Sequence, residues 1–192
     1  EEEYTAYGYD FPTAGGRVAQ LEEAIQIIQA LWKEPTVTFE GNYHKVRQAH
    51  CEPKPLPLPP ILIGAFKPRM LALTARYADW WNVSSTGLEA YQAMAAQLVR
   101  ACEQAGRDPS TIRRTWGGGC VCQPTDARVK EVAGSRYGND ADEDNFDFVG
   151  TPQQLVEQMS SFVEQGVDYF ILDCGGFPDL TTLEYLMHEV LP

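Results

Sequence analysis

Residues 59–83, PPILIGAFKPRMLALTARYADWWNV, decide the fold. An apolar run at 61–63 meets Gly64 and Ala65, an amphipathic segment continues past Pro68 to Tyr77, and a second apolar run fills 80–83. Strand, tight turn, helix and strand in that order predict one βαβ unit, its parallel strands joined by a right-handed crossover. Small residues at such a turn let backbone N–H groups face an anion, and the following helix N-terminus adds partial positive charge. A ligand-binding corner is therefore expected at residues 64–69.

Outward from this unit the same alternation recurs. A helix is expected from Arg17, with Val18, Leu21, Ile25, Ile28 and Trp32 on one apolar stripe and Pro35 ending it. Residues 1–16 carry no periodicity and read as an extended lead-in. The run VTFEGNYHKV predicts a hairpin turning at Gly41 and Asn42, followed by a stiff proline-rich connector, EPKPLPLPP. After the central unit, Tyr91, Met94, Ala95, Leu98 and Cys102 share a helix face closed by Gly106, and Asp108 and Pro109 turn the chain. Residues 114–122 read as a strand interrupted by Gly117, Gly118 and Gly119. Thr125 opens a short helix over 126–133, and 134–150 reads as an acidic loop. Thr151, Pro152 and Gln154 form a strong helix start ahead of Leu155, Val156, Met159, Phe162 and Val163. A last strand at 168–174 precedes a terminal helix carrying Leu183, Leu186, Met187 and Val190. The expectation is one α/β domain over 1–192: the lead-in, a helix and hairpin insertion at 17–58, and four βα units over 59–192 that form a parallel sheet covered by helices. A complete (β/α)8 barrel needs about 250 residues, so four units make about half of one.

The 15 basic residues stand against 27 acidic ones, a formal charge of −12, which argues against nucleic acid and anionic membrane as partners. No apolar run approaches the ~20 residues of a membrane span and no leader pattern opens the chain, so a cytoplasmic protein is expected. The cysteines, Cys51, Cys102, Cys120, Cys122 and Cys174, are odd in number and scattered, which suits reduced core thiols. Cys120 and Cys122 lack the second pair that a zinc site needs, and His44, His50 and Cys51 fall in a loop with no supporting framework. No metal is expected. The run Asp140, Asp142, Asp144 imitates a calcium loop, but Asn145 and Thr151 stand where such a loop has glycine and glutamate. The glycines at 117–119 lack the spacing and lysine of a P-loop; they bend a strand or admit a close neighbour.

Three segments together resemble the luciferase-like monooxygenase family: RVAQLEEAIQIIQALWKEPTVTFEGNYHKV, PPILIGAFKPRMLALTARYADWWNV and GTPQQLVEQMSSFVEQGVDYFILDCGG. The resemblance implies the C-terminal half of a (β/α)8 TIM barrel, with reduced FMN or coenzyme F420 at its C-terminal mouth and a small organic molecule as substrate. It places the cofactor phosphate or tail at Gly64 and Ala65. Phe66 and Lys67 stand where the family commonly has a small hydroxyl residue and then glycine, and Lys67 or Arg69 would supply compensating charge. It also brings Asn82, Cys174 and Gly175 to the substrate side, with Trp80 and Trp81 as packing groups. In the family, four strands precede the helix at 17–33 and supply the catalytic residues, so no catalytic residue is assigned. The chain is expected to be a fragment, a truncated product, or a half-barrel completed by a second copy as a homodimer. Two other readings stand beside the oxidoreductase: a catalytically silent flavin-binding or association module, and an unrelated parallel-barrel enzyme acting on sugar phosphates.

Overall fold

A computed structural model describes residues 2–137 and 147–191, and the chain divides into two compact units, 1–60 and 61–192. In the first unit, α1 (Glu2–Ala6) replaces part of the expected lead-in with a short helix. Helix α2 (Ala14–Lys33) starts three residues before Arg17, because the Thr13 hydroxyl accepts a hydrogen bond from the Gly16 N–H at 3.1 Å and caps it. Of the expected stripe Ile25 is buried, with Ile27 beside it, while Leu21 and Ile28 are exposed. Strands β1 (Val37–Glu40) and β2 (Lys45–Ala49) form the antiparallel hairpin, with a bulge between Val37 and Phe39. Its turn is held from α2: the Glu23 carboxylate accepts from the N–H groups of Asn42, Tyr43 and His44 at 2.8, 2.9 and 2.8 Å.

In the second unit β3 (Leu62–Gly64), α3 (Pro68–Tyr77) and β4 (Trp80–Ser84) form the βαβ unit read from the sequence, with Ile63 beside Trp81 and Gly64 beside Asn82 in parallel register. Helix α4 (Leu88–Ala105) ends at Gly106, which sits in the left-handed region at φ 67°. Strand β5 (Arg113–Cys122) runs unbroken through the three glycines, so they do not interrupt it. Helix α5 (Asp126–Tyr137) outruns its expected end, and β6 (Phe148–Gly150) is a strand inside the stretch read as loop. The acidic run at Asp140, Asp142 and Asp144 lies outside the described residues. Helix α6 (Pro152–Val163) carries the expected capping box, with the Thr151 N–H donating to Gln154 Oε1 at 2.8 Å. Leu155, Met159 and Phe162 are buried on it, whereas Val156 and Val163 point to solvent. After β7 (Val167–Asp173), α7 (Thr181–Tyr185) continues as a π turn over Leu186–Val190, with Leu183 and Met187 exposed. None of the described helices is long and apolar enough to cross a membrane.

The strands are parallel throughout this sheet. β3, β4, β5 and β7 lie side by side, and β6 joins the last three residues of β5. Side chains alternate between the two faces of a strand. One face packs on helices through a continuous aromatic core: Trp81 stacks on Tyr91 at 5.5 Å, Tyr91 meets Phe162 at 5.6 Å, and Trp116 meets Phe148 at 4.4 Å between ring centres. The other face carries Leu62, Gly64, Trp80, Asn82, Thr115, Gly117, Tyr169 and Ile171 in matched register. Leu62, Tyr169 and Ile171 remain 40–46% exposed there.

Candidate functional site at the C-terminal end of the sheet

Because the strands are parallel, their C-terminal ends share one edge of the sheet. Gly64 ends β3, and a Cβ added to it would meet nothing within 4 Å. Ala65 follows, fully buried: its N–H donates to the Asn82 carbonyl at 3.2 Å and its carbonyl accepts from Trp81 Nε1 at 2.9 Å. Its N–H is thus committed to the sheet, and its contribution at the corner is small size. Lys67 is the N-cap of α3 and Pro68, with no N–H, takes the first helical position. The unpaired donors of the first turn therefore fall to its next residues, beginning at Arg69. The side chains of Phe66, Lys67 and Arg69 are exposed, and neither cation has an ion pair among the described residues.

Asn82 lies one strand further in. Thr115 Oγ1 is 2.7 Å from Asn82 Oδ1, and Asn82 Nδ2 donates to Ser84 Oγ at 3.3 Å, so the amide is oriented from both ends. Next to it stands a cluster that sequence reasoning missed. Ser85 adopts φ 44°, its N–H donates to the Gly117 carbonyl at 2.7 Å, and its hydroxyl donates to Asp147 Oδ1 at 3.1 Å. Asp147 also accepts from the Gly119 N–H at 2.8 Å. The glycine triplet is explained by these neighbours. A Cβ at Gly118 would run into the Trp116 ring, and one at Gly119 into the Asp147 carboxylate and the Tyr137 hydroxyl. Burial raises the Tyr137 pKa first, and the adjacent Asp147 carboxylate raises it further, so the phenol keeps its proton. Only the glycines signalled this cluster, as a demand for close approach. Its partners come from distant segments with no distinguishing spacing.

Cys174 and Gly175 fall at the opposite edge of the sheet from residues 64–69, with β4 and β5 between. They line a cavity of about 410 Å³ together with Gln123, Arg136, Asp179 and Thr182. The Arg136 guanidinium donates to the carbonyls of Cys120 at 3.1 Å and Asp173 at 2.9 Å, and pairs with the Asp173 carboxylate at 3.0 Å. Gly175, at φ 53°, lies flat against that guanidinium, where a Cβ would be 2.7 Å from Cζ. Burial pushes the Cys174 thiol pKa up, and Asp173 adds to the shift against Arg136. Among the described residues no group of His, Cys, Asp or Glu is arranged to hold a metal ion. His44 sits in the hairpin turn, and His50 and Cys51 follow β2.

A family model described as luciferase-like monooxygenase matches residues 1–145. The chain belongs to this family. The luciferase-like chain is 34% identical over 113 residues to an F420-dependent glucose-6-phosphate dehydrogenase of Kineococcus radiotolerans, covering 58% of this chain and 34% of that protein. Over 99% of its length it is 22% identical to an FMNH2-dependent dimethylsulfone monooxygenase of Pseudomonas fluorescens, of which it covers 61%. The chain thus spans about a third to three fifths of these relatives' length. Among solved structures it superimposes on a monooxygenase from Streptomyces bottropensis with a TM-score of 0.78 at 19% identity, covering 100% of this chain and 65% of that one. It also matches a coenzyme F420-dependent tetrahydromethanopterin reductase from Methanopyrus kandleri with a TM-score of 0.74 at 17% identity, covering 91% and 63%. These likenesses establish the fold as part of a luciferase-like TIM barrel.

Proposed function

We propose that this luciferase-like chain forms the cofactor-phosphate corner and one wall of the pocket in an oxidoreductase that oxygenates a small organic molecule or transfers hydride to it. The observation that carries this reading is the strand-end surface itself. Gly64 leaves open space where a side chain would stand, Asn82 presents an amide oriented by Thr115 and Ser84, and two cations, Lys67 and Arg69, with no ion pair among the described residues, flank a helix N-terminus beside them. Reduced FMN or F420, when bound, supplies the electrons. The chain's part is to hold the phosphate or tail through residues 64–69, to keep the floor flat at Gly64, and to offer Asn82, Cys174 and Gly175 to the substrate side. Relatives of both cofactor types support the choice between these two cofactors and leave the specific one to experiment.

The test is a titration of the purified protein with FMN and F420, each oxidised and reduced, alongside its mass in solution. Removing both cations in a Lys67→Ala/Arg69→Ala variant should weaken binding by about 10- to 100-fold or more, the lower range being that for losing a single hydrogen bond to a charged group. An unchanged Kd in that variant would dismiss the phosphate corner. A monodisperse monomer that binds neither cofactor would dismiss the oxidoreductase reading for this chain.

The exposed apolar face at Leu62, Tyr169 and Ile171 favours a second reading, a flavin-binding or association module whose product is a homodimer in the cytoplasm. Cofactor binding by a dimer without turnover would select it. Sugar-phosphate oxidation no longer requires an unrelated barrel, since one relative in this family is named a glucose-6-phosphate dehydrogenase that depends on F420. Glucose 6-phosphate with F420 is accordingly the first substrate pair to assay.

A further inference from the structure

Strand β5 runs beside β7 in parallel register as far as Gly119 opposite Asp173. One residue further, Cys120 continues β5 and Cys174 directly follows the end of β7, near enough for each thiol to feel the other electrostatically. Extending the alternation of faces turns both toward the helix layer, the side on which Trp116 and Phe170 are paired. Neighbouring Cα atoms in a sheet lie within the 4.4–6.8 Å span that a disulfide bridges. The Arg136 guanidinium holds the two strand ends together by bonding the carbonyls of Cys120 and Asp173. The two thiols differ in access: Cys120 is fully buried, whereas Cys174 lines the cavity of about 410 Å³ and is part exposed. Neither is in a disulfide in this structure.

We propose that Cys120 and Cys174 are a modification site for hydroperoxides, which convert the pair to a disulfide stapling the C-terminal ends of β5 and β7. Cys174, reached through the cavity, attacks hydrogen peroxide as its thiolate. An S–O bond forms, the O–O bond breaks, and water leaves once the departing hydroxide takes up a proton. The Cys120 sulfur then attacks the resulting sulfenic acid, the S–O bond breaks, and a second water departs with the Cys120 proton. Two thiols lose two electrons in all and one peroxide gains them.

The charged and titratable groups around the pair are Arg136, Glu131 and Tyr137 from α5, Asp147 ahead of β6, Asp173 from β7, Asp179 ahead of α7, and Cys122 on β5. Burial dominates this setting and holds both thiols above their ordinary range, with Cys174 in turn raising Cys120. Oxidation is therefore slow near neutrality and quickens by about tenfold per pH unit while the attacking thiol stays largely protonated.

The purified protein is treated with hydrogen peroxide, weighed intact, then alkylated and mapped by proteolysis. The proposal expects a loss of about 2 Da, one cross-linked peptide pair containing Cys120 and Cys174, reversal by a dithiol, and a higher Tm for the oxidised form. The Cys174→Ser variant should show neither the mass loss nor the Tm change, and Cys120→Ser should leave Cys174 as a sulfenic acid trapped by dimedone. If Cys120→Ser does not fold, the peptide map of the unmodified protein decides alone. A link through Cys51 or Cys122 instead, overoxidation of Cys174 with Cys120 still free, or no reaction would each overturn it.

Discussion

Gly118 shows how one missing methyl group fixes local structure. Trp116 is fully buried against Phe148 and Phe162, so its ring has nowhere to retreat, and its outer edge occupies the place a Gly118 side chain would need. Gly118→Ala should destabilise the protein by about 1–3 kcal/mol, the usual cost of overpacking a closed core, read as a lower denaturant midpoint at unchanged m-value. Gly134→Ala, with nothing within 4 Å of the added Cβ, is the control and should be neutral or slightly stabilising. At this scale the sequence was partly informative. The glycine triplet announced a close approach, but Asp147, Ser85 and Tyr137 could not be named, since contacts across 28 or 62 residues leave no periodic mark. Gly64 and Ala65 were legible because strand-to-helix turns need small residues wherever they occur. The side-chain bonds that orient Asn82 were not, because Thr115 looks like any strand threonine.

At the scale of elements, the first unit rests on a contact between α2 and its hairpin. Burial alone would raise the pKa of Glu23, but hydrogen bonds from His44, Tyr43 and Asn42 outweigh it and hold the carboxyl below its ordinary range. A depressed folded pKa means the contribution to stability is fully present above the ordinary carboxylate range and is lost as pH falls through the folded value. Amide exchange at Asn42, Tyr43 and His44 should therefore accelerate, beyond its intrinsic pH dependence, between about pH 5 and about pH 3, and Glu23→Gln should remove that added dependence. Exchange that tracks the intrinsic rate in both proteins would rule the clamp out. Most elements were legible from periodicity and punctuation: Pro68 and Thr151 open α3 and α6, and Gly106 closes α4. The misreadings have physical causes. Gly15 and Gly16 look like helix breakers until Thr13 caps the turn they occupy, and β6 is too short, at three residues, to show alternation.

Across the whole second unit, the sheet has two unlike faces. The helix-covered one holds Trp81, Trp116, Phe148 and Phe162 at 0–1% exposure, a core whose large rings each meet at least one other ring. The opposite face keeps apolar side chains in solvent, and β3 and β7 each pair with a single neighbour among the described strands. Such edges and faces are ordinarily covered. The parallel α/β class was readable from the βα rhythm alone, and the family from three separated segments. The pairing of β6 with β5 was not, since it joins residues within a stretch whose acidic composition looked like loop.

That pairing makes β5 a fork. Its first part is flanked by β4 and β7, and its last three residues are paired with β6, so residues 114–117 have a partner strand on both sides and the rest of its ten residues have one. Opening it means separating three strands together, whereas β3 can peel away from β4 alone. The order in which the unit loses its structure follows. In native-state exchange the amides of residues 114–117 should be the last of the second unit to take up deuterium and those of β3 among the first, with that part of β5 reporting the free energy of global unfolding.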